Sequence, residues 1–226
     1  MEEDIIALFR RCIQDESLLK EFDNDDLLEL GNLCHGNYAF LYLVNAAMQK
    51  GDDELVNDAA GISFYTRGEG YDISFKDKKL HFTKEQLASY LALAIDIVGD
   101  ILPLGSVVDL KKEYFEGVLQ VDQIENLRFI ILHRFLFNEG DRFYFPYAGV
   151  VFPFGVSAGE RYIYFTTPMI ERVVFKGFSN EQEMAFVYLM KKELVAEKLM
   201  SSFTFAKKED VERFHKTLNE MAGKHG

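Results

Sequence analysis

The chain has 226 residues, of which 48% are hydrophobic, and 37 acidic against 25 basic residues give a formal charge of −12. With this length, four prolines and no linker-like segment, the chain is predicted to form a single domain over residues 1–226. The acidic balance disfavours nucleic acids and anionic membranes, because their phosphates require a basic protein face. The charge serves solubility or attracts a basic protein partner.

The compartment is predicted from the N-terminus, the apolar windows and the cysteines. Met1–Asp4 is acidic and no apolar run follows it, so a secretory signal is not expected. Charged residues interrupt the most apolar windows, Leu87–Leu104 and Phe129–Phe137, which argues against a membrane span. Cys12 and Cys34 lack the spacing of a redox pair and are expected to be reduced thiols. These features predict a cytoplasmic protein.

Residues 1–60 are predicted to form an N-terminal helical layer. Apolar residues at intervals of three and four predict helices over Asp4–Phe22, from about Asp26 to Cys34, and from Asn37 to about Lys50. Between the first two helices, the acidic segment Asp23-Asn-Asp-Asp26 supplies a turn and an N-cap. It lacks the glycine and the distant glutamate of a calcium-binding loop, so no metal site is expected there.

Within residues 61–117, the spacing of the apolar residues changes from that of helices to that of strands. Ile62–Thr66, Tyr71–Phe75 and Leu80–Phe82 are predicted to be short antiparallel strands joined by turns. Thr83-Lys-Glu-Gln86 then has the pattern of a capping box, which predicts the start of a helix. Ser106–Phe115 is predicted to be a short helix.

Residues 118–226 contain the aromatic part of the chain. Eleven of the 32 Phe and Tyr residues lie in Phe143–Phe178, which is predicted to form three antiparallel strands. The preceding segment, Arg128–Phe137, is apolar on every face. It therefore fits either a strand or the end of a helix capped near Asp122. The predicted elements after the aromatic segment are a helix, a strand over Met200–Phe205, and a closing amphipathic helix over Lys207–Ala222.

The two predicted sheet segments are followed by similar helix starts. Phe82-Thr-Lys-Glu-Gln86 is echoed by Phe178-Ser-Asn-Glu-Gln182, and each follows three strand-like runs. The predicted fold is therefore α+β, a mainly antiparallel sheet covered by helices behind an N-terminal helical layer. A duplication would give two βββα halves related by a pseudo-twofold. The predicted subdivision is a helical layer over 1–60, a first half over 61–117 and a second half over 118–226.

This order of elements resembles EspG-type chaperones of type VII secretion, in which two sheet-and-helix halves related by a pseudo-twofold are flanked by helical bundles. The resemblance rests on the layout and on the two Phe-[Thr/Ser]-x-Glu-Gln helix starts quoted above. It transfers no binding residue. What it implies is capture of another protein in the cytoplasm.

Gly155-Val-Ser-Ala-Gly159 has the form of the G-x-S-x-G nucleophile motif of serine hydrolases. The motif needs a strand, a strained turn and a helix, but the residues that follow it look like a returning strand. The later Asp210 and His215 are five residues apart on one predicted helix, which is poor geometry for a relay to Ser157. A hairpin turn is the favoured interpretation, and a small serine hydrolase using Ser157, His215 and Asp210 is the alternative.

The sequence therefore favours a non-enzymatic protein-binding protein, such as a secretion chaperone, an adaptor or a toxin-immunity protein. The five histidines are scattered and no glycine-rich phosphate loop is present, so no metal or cofactor is expected. Acidic and aromatic side chains are the candidates for contact with a protein partner that is attracted by negative charge. The predicted partner-binding residues are Asp23, Asp25, Asp26, Tyr147, Phe152 and Phe154.

Overall fold

The periodic segments fold as helices and strands in this computed structural model, which describes residues 2–34, 38–58, 60–115, 125–155 and 162–223. The chain forms two units: residues 1–100 with 191–197, and residues 101–190 with 198–226. The architecture is α+β, with antiparallel sheets covered by helices and helices at the N-terminus, as predicted.

The first unit begins with the predicted helical layer: α1 (Glu2–Asp15), α2 (Asn24–Leu33) and α3 (Tyr38–Lys50). The first helix ends at Asp15 and not at Phe22, and a short 3₁₀ turn over Ser17–Leu19 follows it. The Asp23 carboxylate accepts hydrogen bonds from the backbone N–H of Asp25 at 2.8 Å and of Asp26 at 3.3 Å. This side chain satisfies free amides at the start of α2, which confirms the predicted cap.

A four-stranded antiparallel sheet follows, in the order β1-β2-β3-β4. Its strands are β1 (Glu54–Asn57), β2 (Ile62–Arg67), β3 (Gly70–Phe75) and β4 (Lys78–Phe82). The sequence predicts β2, β3 and β4 but not β1. Next comes α4 (Lys84–Leu93), for which the capping box is confirmed. The Thr83 hydroxyl accepts from the Gln86 amide, and the Gln86 side chain accepts from the Thr83 amide.

The helix α4 continues into a π-helical turn over Ala94–Val98, and this unit also contains a second π-helical turn, Lys192–Glu197. Lys191, which precedes the second turn, is buried, and its ammonium group donates to the backbone carbonyls of Ile97 and Gly99. A charged side chain thereby satisfies the carbonyls at the C-terminal end of the first π-helical turn.

The second unit contains a six-stranded sheet in the order β10-β7-β6-β5-β9, with β8 also paired to β7. The strands are β5 (Val107–Leu110), β6 (Leu127–Leu136), β7 (Phe143–Val151), β8 (Ile163–Phe165), β9 (Ile170–Phe175) and β10 (Ser201–Ser202). Its core is formed by side chains from β5 to β8 and the segment after β5, namely Val108, Leu110, Phe115, Leu127, Phe129, Ile131, Tyr147 and Phe165.

Three predictions for this unit are compared with the sheet. The helix predicted over Ser106–Phe115 is wrong, because Val107–Leu110 is a strand between β6 and β9 with every residue buried. The open alternative at Arg128–Phe137 is decided in favour of a strand, and Asp122 lies outside the described residues. The three strands predicted within Phe143–Phe178 are present as β7, β8 and β9, but they do not pair in succession, because β8 pairs with β7 whereas β9 pairs with β5.

The helices of the second unit are α5 (Glu181–Lys191, whose last residue belongs to the first unit) and α6 (Lys208–Gly223). The cap of α5 differs from the predicted echo, because the Asn180 side chain, and not Ser179, accepts from the Glu183 amide at 2.9 Å. The strand predicted over Met200–Phe205 is only two residues long and is followed by a 3₁₀ turn. The two sheets differ in strand order, and the pseudo-twofold stays a prediction.

Candidate partner-binding surface

Large exposed apolar side chains are concentrated in the second unit. Of 19 such residues in the described part of the chain, 16 belong to that unit and only Leu18, Leu43 and Val56 belong to the first. This unit is therefore where we look for a candidate partner-binding surface, because single exposed apolar residues are normally scattered over a protein. The 16 residues are Leu104, Tyr114, Phe137, Val151, Phe152, Phe154, Tyr162, Tyr164, Val173, Val174, Phe175, Phe178, Met184, Phe186, Leu189 and Leu199.

Five of these residues form a group that we call the apolar edge: Leu104, Val173, Val174, Phe175 and Phe178. Three of them lie on β9, the last strand in the order of the sheet, and Phe175 and Phe178 are 60% and 80% exposed. Gly177 brings the end of this segment against the residues that precede β5. Its amide donates to the Ser106 hydroxyl at 2.9 Å, and a Cβ at Gly177 would lie 2.2 Å from the Leu104 carbonyl oxygen. This close approach places the backbone of Gly177, the residue before Phe178, against the backbone of Leu104.

A buried carboxylate fixes the strand that carries the apolar edge. Asp109 on β5 accepts from Arg128 Nε on β6 and from Arg172 Nε on β9, each at 2.7 Å. The hydrogen bond from Arg128, followed by that from Arg172, holds the pKa of the Asp109 carboxyl below its ordinary value against the opposing effect of burial. The Asp109 carboxylate therefore connects three neighbouring strands and helps to fix the position of β9.

The helix α5 adds to the exposed apolar residues of this unit. Met184, Phe186 and Leu189 are 46%, 44% and 59% exposed. The helix is held by Arg134 of β6, whose guanidinium group forms an ion pair with Glu183 and lies over the ring of Phe186 at 5.4 Å. These contacts fix α5 and leave apolar side chains open to solvent.

The aromatic residues predicted to bind a partner have different environments. Tyr147 is buried in the core, and its hydroxyl accepts from the Leu102 amide at 3.1 Å, so it supports the sheet and does not reach the surface. Phe152 and Phe154 lie in the turn after β7 and are 43% and 80% exposed. Of the three predicted aromatic residues, Phe152 and Phe154 are therefore the two that a partner can reach.

The acidic residues predicted to bind a partner are all engaged within the first unit. Asp23 caps α2, as described above. Asp25 accepts from Arg10 at 2.8 Å, and Asp26 accepts from Lys78 at 2.5 Å. Their charges are therefore partly compensated by neighbouring side chains. The predicted set is thus divided between the two units, acidic residues in the first and aromatic residues in the second.

The residues of the alternative hydrolase are not assembled by the described part of the chain. Ser157 lies outside the described residues. Asp210 is buried and its carboxylate accepts from Arg213, while His215 is exposed with its ring against Phe214. Both residues belong to α6, and the Asp210 carboxylate is occupied by an arginine.

The charge of the chain is distributed unevenly between the units. The first unit contains 22 acidic and 11 basic residues, a formal charge of −11, whereas the second contains 15 acidic and 14 basic residues, a formal charge of −1. The exposed apolar residues therefore belong to the nearly neutral unit. Counting charges along the sequence would have given part of this result, because the first hundred residues hold 20 of the acidic residues and 9 of the basic ones.

Other kinds of site find little support among the described residues. In that part of the chain no group of three or more His, Cys, Asp or Glu side chains is placed to bind a metal ion. None of the helices there combines the length and the apolarity that a membrane crossing requires. Both cysteines are free thiols, and burial raises the pKa of Cys12 to about 11 and that of Cys34 to about 12, so neither is a reactive thiolate near neutral pH.

Comparison with known proteins gives one match. A family model described as "Domain of unknown function (DUF4176)" matches residues 101–186. The matched region runs from the segment before β5 into α5 and includes the whole apolar edge. No curated protein and no solved structure matches the chain.

Proposed function

We propose that this protein is a cytoplasmic, non-enzymatic binding protein that captures another polypeptide through the apolar edge, as a secretion chaperone, an adaptor or a toxin-immunity protein does. The observation that carries the proposal is the concentration of 16 of the 19 large exposed apolar residues of the described chain in a unit whose formal charge is −1. Burying such side chains against a partner stabilises a complex, since each removes apolar area from water.

The first unit supports a role in partner selection. Its formal charge of −11 attracts a basic polypeptide and accelerates the encounter, an effect that weakens as salt screens the charges. The same charge disfavours nucleic acid and anionic membrane surfaces as partners. A chaperone of the EspG type is one form of this proposal. The support for this form is the order of elements, in which β2 to β4 are followed by α4 and β5 to β9 are followed by α5.

The two buried thiols support the cytoplasmic compartment, where cysteines stay reduced. The proposal needs no cofactor and no metal. It assigns no role in bond making to Ser157, Asp210 or His215.

The proposal is tested by affinity purification of the tagged full chain from its native host at low ionic strength. The wild-type chain is compared with Phe175→Ser/Phe178→Ser. A matched control, Leu43→Ser/Val56→Ser, removes two exposed apolar side chains of the first unit, which are 55% and 51% exposed. We expect a stoichiometric protein with wild type and control, at least tenfold less of it with the apolar-edge variant, and release of it by salt. Absence of any stoichiometric protein, or equal recovery with both variants, would contradict the proposal.

A further inference from the structure

We draw no further inference here: the strongest candidate, the exposed apolar residues of β9 and α5, belongs to the surface already described, and nothing in the described part of the structure shows what covers it.

Discussion

Asp109 Oδ2 accepts a hydrogen bond from Arg172 Nε at 2.7 Å, and this contact joins the interior strand β5 to the edge strand β9. Asp109 also accepts from Arg128, so its replacement leaves two guanidinium groups without their shared acceptor. We expect Asp109→Asn to lower the free energy of unfolding by about 2–3 kcal/mol, since two charge-assisted hydrogen bonds to a buried carboxylate are weakened. Urea denaturation followed by circular dichroism measures this change.

The matched control is Glu171→Gln, which removes an exposed carboxylate from the neighbouring position on β9. We expect it to change the free energy of unfolding by less than about 0.5 kcal/mol. Equal effects of the two substitutions would show that the Asp109 cluster does not hold the strand.

The pH dependence of stability follows from the same carboxylate. The pKa of Asp109 is lower in the folded chain than its ordinary value of about 3.8. The stabilisation that ionised Asp109 supplies is therefore fully present above pH 3.8 and is lost as the pH falls toward the folded-state pKa. The difference in unfolding free energy between wild type and Asp109→Asn should therefore be constant from pH 7 to pH 5 and shrink below about pH 4. A difference that grew on acidification would contradict the assignment.

Gly177 is expected to be sensitive to the addition of a single methyl group. A Cβ there would lie 2.2 Å from the Leu104 carbonyl oxygen, and backbone atoms cannot move aside as a flexible side chain can. Gly177→Ala should displace the segment around Gly177 from the Leu104 backbone, lower the free energy of unfolding by about 1–3 kcal/mol and weaken partner capture. Thermal unfolding and the affinity purification described above measure the two effects, and an unchanged variant in both would show that the close approach is not required.

The sequence predicts the structure correctly where the signal is local. The Thr83–Gln86 capping box involves residues three positions apart, so the sequence determines the cap of α4 directly. The same pattern predicts Ser179 as the N-cap of α5, but the side chain that accepts from the helix is that of Asn180, one position later. Serine and asparagine are comparable N-caps, so their order in the sequence did not decide between them.

This difference gives a direct comparison of two adjacent residues. Asn180→Ala should lower stability by about 1 kcal/mol because the Glu183 amide loses its acceptor, whereas Ser179→Ala should have little effect. Thermal denaturation of the two variants and of wild type measures these effects. A larger loss of stability for Ser179→Ala than for Asn180→Ala would show that Ser179 is the N-cap.

Strand pairing between distant residues is not predicted by the sequence. Val107–Leu110 is buried on both faces between β6 and β9, and a short buried strand has no alternating pattern that separates it from a helical turn. The pairing of β9 with β5 joins residues 60 to 68 positions apart, so the edge position of β9 could not be predicted from its own residues. The predicted acidic residues were plausible from charge alone, but ion pairs such as Asp26–Lys78 become visible only in the folded chain.

Lys191 provides a prediction at alkaline pH. Burial lowers the pKa of Lys191 to about 8 from an ordinary value of 10.5, against the opposing effect of Asp100 and Asp96. Between pH 8 and pH 10.5 the amine is therefore protonated in the unfolded chain and neutral in the folded chain. As the pH rises through this range, the wild type gains stability relative to a variant without the amine. Comparing wild type with Lys191→Met removes the contribution of other groups. In urea denaturation, the unfolding free energy of wild type minus that of Lys191→Met should increase by roughly 2–3 kcal/mol between pH 7.5 and pH 10.5. A difference that stays constant over that range would mean that the Lys191 amine keeps its ordinary pKa despite its burial against the Ile97 and Gly99 carbonyls.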